Sequence, residues 1–486
     1  MNILLTSVGR RSYLVKYFQD ALGENGKVHV ANSTSISPAF QTADNFVVTP
    51  IIYDKEYIPF LKKYCLENRI DAIISLFDID LPMLSVHKQE FRDIGVQVVV
   101  SDFDCIEICN DKWKTYQFLV NNNFNAPKTF LSVDEALGCI HSGEISFPVM
   151  VKPRWGMGSI AVFEAENEEE LRVLYKKAKR NIFNTYLKFE SKQDIEDCVL
   201  VQEKLHGQEF GLDVINNLDG KYVTTICKKK HMMRAGETDC AITVDNIELK
   251  KLGEKLSDKL QHIANLDVDV FEVEDKYYVL EMNARFGGGY PFSHLAGVNL
   301  PMAIIRWLQG EEVQKDVLQE RVNIFGQKDI RMIKLYQNEN ISIKIVDDEK
   351  VIYNLVNHFS NFLIPPLVQR GINIKEYSRK LFQYARIYGA YERNGTCCGI
   401  LAVSMSDKKS KEAYLSMIAL ESEYRGRKIG SKLLQRVEKD ALECGMKTLV
   451  FEVRKENSGA YKFYCSHGYQ RGEDASEQSF YMMKEL

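Results

Sequence analysis

The sequence predicts a multidomain chain of mixed α/β and α+β character. Its 486 residues exceed what one ordinary core holds and suggest about three domains. Roughly the first hundred residues repeat short apolar strands at the spacing of a parallel α/β sheet. From Asp111 the texture becomes α+β, and it changes again near Gln337. The expected division is an N-terminal parallel α/β domain over 1–110, a second domain over 111–336, a polar linker at 337–340 and a third domain over 341–486.

An apolar share of 45%, a charged share of 27% and a net charge of −4 match folded domains without a polyanion-binding signature, so nucleic acid is not an implied partner. The stretch "MNILLTSVGRRSYLVKYF" has apolar runs too short for a signal or membrane segment, so a cytoplasmic protein with no membrane partner is expected. The eleven cysteines are scattered without a Cys-x-x-Cys pair, and only Cys397 and Cys398 are adjacent. Buried thiols are expected rather than disulfides or zinc.

In chain order, "NILLTSV" is a buried strand leading through Gly9 into a helix, and "KVHVANS", "DAIISLF" and "VQVVVSD" extend the sheet. Gly9-Arg10-Arg11 lacks the full G-x-G-x-x-G pattern, so support for a dinucleotide site is weak. Then come a helix "KWKTYQFLVNN", a strand "FPVMVKP", a glycine loop "RWGMGS", a strand "IAVFEA" and a charged helix "NEEELRVLYKKAKR". Strands "CVLVQEKL", "EFGLDVI" and "YVTTICKK" precede a helix from about Leu252 to Ala264. The third domain has strand "ISIKIV", a helical region to Phe382, and strands "RIYGAYE", "CCGILAVSM" and "EAYLSMIAL". The helix within "YRGRKIGSKLLQRVEKDALECG" is expected to share Leu433, Leu434, Val437, Ala441 and Leu442 on one face.

The stretch "YVLEMNARFGGG" starts as a buried strand yet closes with Glu281, Asn283 and Arg285, groups that are costly to bury unpartnered. Suppose "DVDVFEV" and "YYVLEMN" form a hairpin with Glu274-Asp275-Lys276 as a three-residue loop. Val273 then pairs with Tyr277, Asp269 falls opposite Glu281, and the period of two places Asn283 on the same face. These three are hard oxygen donors suited to magnesium. The plain alternative is a solvent-facing strand edge. Against it stand Arg285, whose fork can grip phosphate oxygens, and Gly287-Gly288-Gly289, which admits close backbone approach. Upstream, Lys152 closes its strand, and the loop from Arg154 to Ser159 can either fold over a triphosphate or form a tight hairpin. In "VQEKLHGQEF", backbone groups of Gln202 and Leu205 could read an adenine edge while Glu209 accepts ribose hydroxyls or simply solvates a loop.

The order of these pieces resembles the ATP-grasp superfamily, and within it the carbamoyl-phosphate synthase large subunit and related carboxylate–amine ligases. The resemblance covers roughly Met1 to Lys334 and rests on "NDKWK", "VKP", the glycine loop, "QEKLHGQEF" and "DVDVFEVEDKYYVLEMNAR". It implies an ATP-grasp fold behind an N-terminal pre-grasp domain. It further implies Lys112, Lys152 and the loop positions Gly156, Gly158 and Ser159 on ATP phosphates. Gln202, Leu205 and Glu209 would hold the nucleoside, Asp269, Glu281 and Asn283 magnesium, and Arg285 the reacting phosphate. In such enzymes a carboxylate becomes an acyl phosphate and an amine then displaces phosphate, chemistry that needs cationic clamps on developing charge. Ala284 stands where many relatives carry proline. The run Lys228-Lys229-Lys230-His231 and the following "RAGET" would lie near substrate, although charge runs are usually solvated faces.

In the third domain, backbone N–H groups at the turn before "IGSKLL" could bind a pyrophosphate, or the turn could be an ordinary α/β connection. "ENSGAYKFYCSHGY" supplies a helix with Asn457 at its start and Gly468 past its end, both normal capping choices. Tyr464 lies two turns beyond Asn457, with a core aromatic as the alternative role. The combination resembles the GNAT family of acyl-CoA-dependent N-acetyltransferases over about Ile341 to Leu486. It implies a GNAT fold with Arg425, Arg427, Lys428, Gly430 and Ser431 around the acetyl-CoA pyrophosphate. Asn457 would lie near the pantetheine arm, and Tyr464 would protonate the leaving thiolate. Lys428 occupies a position where many relatives have glycine. Glu421 is suggested as a base by position alone.

The combined expectation is a bifunctional enzyme using ATP, Mg2+ and acetyl-CoA. It would act on small-molecule carboxylate and amine substrates, with a small metabolite or amino sugar as acetyl acceptor and a homodimer left open. The alternatives are an ATP-dependent kinase or carbamoylating enzyme, and a nucleotide-sensing module without catalysis.

Overall fold

The computed structural model describes residues 1–333, 335, 341–392, 395–407, 409–425 and 429–486, so the expected linker at 337–340 lies outside the described residues. The chain divides into two compact units, Met1–Leu335 and Tyr336–Leu486.

In the first unit, β1 (Asn2–Thr6), β2 (Lys27–Asn32), β3 (Asn45–Val48), β4 (Ala72–Ser75) and β5 (Gln97–Val99) form a parallel sheet in the order β3-β2-β1-β4-β5. Both faces are covered: Ile3 and Leu5 enter one core and Leu4 another, which explains the unbroken apolar runs. Strand β3 was not expected from the sequence, and its four residues are only partly buried. Strand order reverses beside β1, and the crevice at the carboxyl ends of such strands is where open α/β sheets bind ligands. Here the fully buried Asp80 occupies it, accepting hydrogen bonds from Thr6, from Ser7 and Ser75 at 3.1 Å each, and from Tyr57 at 2.7 Å.

A second, antiparallel sheet contains β6 (Thr129–Phe130), β7 (Val149–Pro153), β8 (Phe163–Ala165) and β9 (Val199–Glu203), ordered β6-β9-β7-β8. Helix Glu168–Phe183 covers it with Leu171, Ala178 and Ile182. The expected strand "IAVFEA" shortens to Phe163–Ala165 because Ser159 and Ala161 both take φ values of 56°, which no strand admits.

The third sheet holds β10 (Gln208–Asn216), β11 (Tyr222–Arg234), β12 (Glu237–Val244), β13 (Asn265–Val273), β14 (Lys276–Asn283) and β15 (Phe325–Gln327), antiparallel in the order β14-β13-β10-β11-β12-β15. One face packs Leu212, Val214, Val268, Val270, Val279 and Met282 against Leu249, Leu256 and Leu260 of helix Ile247–Leu260. That helix begins before the expected Leu252 because the Asn246 side chain caps it, and it stops short of Ala264 where Gln261 turns left-handed. The opposite face carries the charged groups.

The second unit is one sheet of β16 (Ser342–Val346), β17 (Arg386–Tyr391), β18 (Cys397–Asp407), β19 (Glu412–Leu420), β20 (Thr448–Arg454), β21 (Gln470–Ser476) and β22 (Ser479–Glu485), ordered β16-β17-β18-β19-β20-β22-β21. The parallel pair β19 and β20 joins only Glu412–Tyr414 to Thr448–Val450, so the strands part beyond Tyr414. Helices Glu349–Phe359 and Ile374–Tyr384 pack with Ile400, Ala402, Met417 and Ala419. Helices Ile429–Glu443 and Ser458–Cys465 join a separate core with Leu401, Val403 and Leu415. Leu442, expected on the buried face, is 51% exposed because it falls half a turn round from Leu433. All cysteines are free thiols, mostly buried, although Cys444 and Cys465 are exposed. Among the described residues no helix is long and apolar enough to cross a membrane.

Candidate functional site

In the β13–β14 hairpin, Glu274 and Asp275 have φ values of 48° and 62°, a two-residue turn that pairs Val273 with Lys276 rather than with Tyr277. The ladder continues to Val270 opposite Val279, and a bulge then brings Asp269 opposite Glu281 and Asp267 opposite Asn283. The expected pairing of Asp269 with Glu281 is therefore reached by another route, a shorter turn offset by one extra residue. The bulge lets Val279 and Met282 both face the core while Glu281 turns to the charged side.

On that side β10 presents Glu209, Gly211 and Asp213 in alternation, and β11 contributes Lys228 and Lys230. Gly211 lies between the two lysines' ends: a Cβ there would sit 3.2 Å from Lys230 Cε and 3.7 Å from Lys228 Cε. Lys230 Nζ donates to Glu209 and to Asp269, each at 2.6 Å. Lys228 is paired with Asp213, which also accepts from Ser293. The lysine run is thus not a solvated face, since Lys228 and Lys230 turn inward and Lys229 is partly buried, whereas the strand is exposed from His231 to Arg234. Burial pushes the Asp269 carboxyl up to about 6 against the pull of Lys230. Burial also works against the charge on Lys230, yet Asp269 and Glu209 together hold it above the ordinary amine range.

The residues expected on the phosphate side converge on the same carboxylates. Asp111 caps helix Lys112–Asn121 through Trp113 and Lys114 N–H groups, and its carboxylate is gripped by Arg154 at 2.8–3.0 Å, which anchors the glycine loop. Lys112 Nζ lies 3.5 Å from Glu281 Oε1 and donates to the Gly156 carbonyl. Lys152, 7% exposed, donates to Gln202 Oε1 at 2.6 Å, and Gln202 in turn donates to Thr129. Gln202, expected to act through its backbone, therefore orients Lys152 with its side chain. Leu205 lies in the connection between β9 and β10. Burial, then the neighbouring Lys112, lowers the Lys152 ammonium to about 8. Burial would raise Glu281, but Lys112, Lys152 and Arg285 outweigh it and hold the carboxyl below its usual range. Gly158 and Ser159 form the exposed part of the loop, and the β11–β12 turn reaches it: a Cβ on Gly236 would meet Ser159 Oγ at 2.2 Å.

Arg285 does not present an open fork. Its guanidinium lies 3.0 Å from Asp267 and 3.0 Å from Asp78, and these carboxylates keep it charged although burial opposes that. Gly287 permits this approach, since a Cβ there would overlap the Asp267 carboxylate at 2.0 Å. Sequence reasoning missed both aspartates. Asp267 was readable from its alternation with Asp269 in "DVDV", whereas Asp78 comes from the turn after β4 and left no local signal. Among the described residues no group of three or more His, Cys, Asp or Glu side chains could hold a metal ion. Two carboxylates and an amide on one face, as in Asp269, Glu281 and Asn283, suit magnesium, which takes few protein ligands and shares phosphate oxygens.

In the second unit, Asn457 caps helix Ser458–Cys465 by accepting from Ala460 N–H at 3.1 Å. Ser431 Oγ lies 2.8 Å from His467 Nε2, and Gly430 leaves room for the Phe463 ring, 3.2 Å from where a Cβ would stand. Arg425 donates to the Phe362 carbonyl at 2.7 Å, while Arg427 and Lys428 lie outside the described residues. Tyr464 is 6% exposed and packs on Phe451 and Tyr469 with ring centroids 4.2 and 5.9 Å away. Burial raises its hydroxyl well above the ordinary range, so the proton stays in place at neutral pH.

The chain carries an ATP-grasp domain and a C-terminal GNAT domain. Residues 196–329 match a family described as ATP-grasp in the biosynthetic pathway with Ter operon, and residues 358–469 match the acetyltransferase (GNAT) family. Residues 3–99 match the PylC-like N-terminal domain. ATP-grasp enzymes work with ATP and magnesium, and GNAT domains with acetyl-CoA. Among curated proteins, the carbamoyl phosphate synthase large chain of Campylobacter jejuni is 25% identical over 288 residues, covering 56% of this chain and 24% of that protein. The alpha-aminoadipate–LysW ligase LysX of Saccharolobus solfataricus is 24% identical over 245 residues, covering 47% of this chain and 80% of that one. Among solved structures, the biotin carboxylase domain dimer of Hydrogenobacter thermophilus 2-oxoglutarate carboxylase, in complex with MgADP, ADP and bicarbonate, superposes with a TM-score of 0.53 at 18% identity. It covers 67% of this chain and 73% of its own and speaks to the fold.

Proposed function

We propose that the protein is bifunctional. Its first unit would activate a small carboxylate as an acyl phosphate at the expense of ATP and pass it to an amine, and its second would acetylate a small amine from acetyl-CoA. One observation carries the ligase half: Asp269, Glu281 and Asn283 share a sheet face with Lys112 and Lys152 directly beside it. The two lysines supply positive charge to the transferring phosphoryl group, and Gln202 fixes where Lys152 points. Asp269, Glu281 and Asn283 would hold magnesium, which when bound neutralises phosphate charge and aligns the oxygens for in-line transfer. Arg285, held by Asp78 and Asp267, would reach the reacting phosphate by exchanging one of these carboxylates for phosphate oxygens. The glycine loop and the β11–β12 turn meet at Ser159 and Gly236 and would exclude water from the acyl phosphate.

The names of the curated relatives, a synthase and a ligase, support carbon–nitrogen bond formation, and the description of the structural relative as a dimer supports a homodimer. The test is to incubate the protein with ATP, magnesium and fractionated metabolite pools, read ADP, and identify the product by mass spectrometry. Amide formation matched to ADP is expected. A phosphorylated product without an amide would instead establish a kinase.

A further inference from the structure

We propose that His358, oriented by Glu421, is the base that takes the proton from the acyl-acceptor amine in the second unit. The inference rests on the acetyltransferase function proposed above. His358 Nε2 lies 2.7 Å from Glu421 Oε1, joining helix Glu349–Phe359 to the residue that follows β19. The imidazole is 52% exposed, whereas the carboxylate is 19% exposed, so the pair has a partly buried anchor and an accessible working end.

Its position follows from the sheet. Along β19, Met417 and Ala419 pack in the core formed with helices Glu349–Phe359 and Ile374–Tyr384. Glu421 continues that alternation to the end of the strand. Helix Ile429–Glu443, whose amino end carries the expected pyrophosphate loop, packs in the other core. Because β19 and β20 separate beyond Tyr414, a thioester entering from that helix meets an acceptor arriving from the His358 side at the gap between the strands. The approach is also fixed from below: Arg425 of the cofactor turn donates to the carbonyl of Phe362, whose ring lies 5.4 Å from the His358 ring.

With Nε2–H donated to Glu421, the Nδ1 lone pair is left to receive a proton. The acceptor ammonium gives one proton to Nδ1, and its nitrogen attacks the thioester carbonyl. The C–N bond forms and the C–S bond breaks. The second nitrogen proton goes to the CoA sulfur by way of the Tyr464 hydroxyl, and the imidazolium returns its proton to water.

The experiment uses the full chain with acetyl-CoA and a panel of primary amines (amino acids, amino sugars and polyamines), reading free thiol release and the thermal shift given by acetyl-CoA. His358→Gln should lower kcat by about 100-fold or more while the KM for the amine and the acetyl-CoA shift are retained. Glu421→Gln should lower kcat less, again with KM little changed, because an amide oxygen still accepts from Nε2–H but stabilises the imidazolium less. A folded His358→Gln variant with unchanged kcat overturns the base assignment. A wild type that shows neither an acetyl-CoA shift nor thiol release overturns the acetyltransferase function and the base together.

Discussion

The two units hold their candidate groups in opposite ways. In Met1–Leu335 nearly every charged group on the site face is already matched: Lys228 with Asp213, Lys230 with Glu209 and Asp269, Arg285 with Asp78 and Asp267. In the second unit the proposed proton donor Tyr464 is set among aromatic rings, and among the described residues its hydroxyl has no hydrogen-bond partner. Phosphoryl transfer develops charge over several oxygens and is served by a preorganised ionic lattice. Acyl transfer from a thioester calls for one proton at the leaving sulfur, and a hydroxyl in an apolar wall stays protonated until the thiolate develops beside it. The lesson is that a dense charge network and a lone buried hydroxyl can both be functional, each suited to the charge its reaction creates.

Sharp tests of this contrast begin with Glu281→Ala. It should reduce magnesium-dependent ADP formation by about 1,000-fold, since it deletes a proposed metal donor that also faces Lys112. Circular dichroism should stay native. Undiminished turnover would remove Glu281 from the site. Next, Tyr464→Phe should slow acetyl transfer by about 100-fold while the affinity for acetyl-CoA and the melting temperature hardly change, because the lost hydroxyl has no partner among the described residues. A normal rate would leave Tyr464 as packing alone.

Breaking the ionic lattice should instead cost stability. Asp267→Ala leaves Arg285 with a single carboxylate in a buried position and should destabilise the first unit by about 3 kcal/mol, measured by urea denaturation. A smaller effect concerns pH. Lys152 loses its proton near 8, so ATP affinity should weaken as pH rises through about 8, and Lys152→Arg should abolish that dependence. Calorimetric titration at pH 7 and 9 gives the comparison. The least disturbance is expected from cutting the chain near Asn338, after which one fragment should still give a thermal shift with ATP and the other with acetyl-CoA. A folded fragment that has lost its response would show that the units share a site.

The sequence revealed the strands of the first sheet wherever apolar runs were unbroken, as in "NILLT" and "AIIS", and failed at the half-buried "NFVV". The pairing of Asp269 with Glu281 was legible because both ends of the hairpin are marked by polar residues, but a turn and a bulge that cancel each other leave no trace in a period-of-two pattern. Inward lysines in "KKKHMM" were illegible because their partners Asp213, Glu209 and Asp269 lie on other strands. Partners separated by 207 residues, as Arg285 and Asp78 are, or by 63, as His358 and Glu421 are, become visible only once the chain has folded.

The offset between the Glu274-Asp275 turn and the bulge beyond Val279 gives this hairpin one residue of slack. Removing Leu280 would close the bulge and leave Val279 opposite Val270 and Glu281 opposite Asp269, with Met282 still in the packed layer. Removing Met282 instead would turn Asn283 into that layer. A deletion scan along the strand should therefore spare ADP formation at Leu280 and abolish it at Met282, where the alternation has no residue to give up.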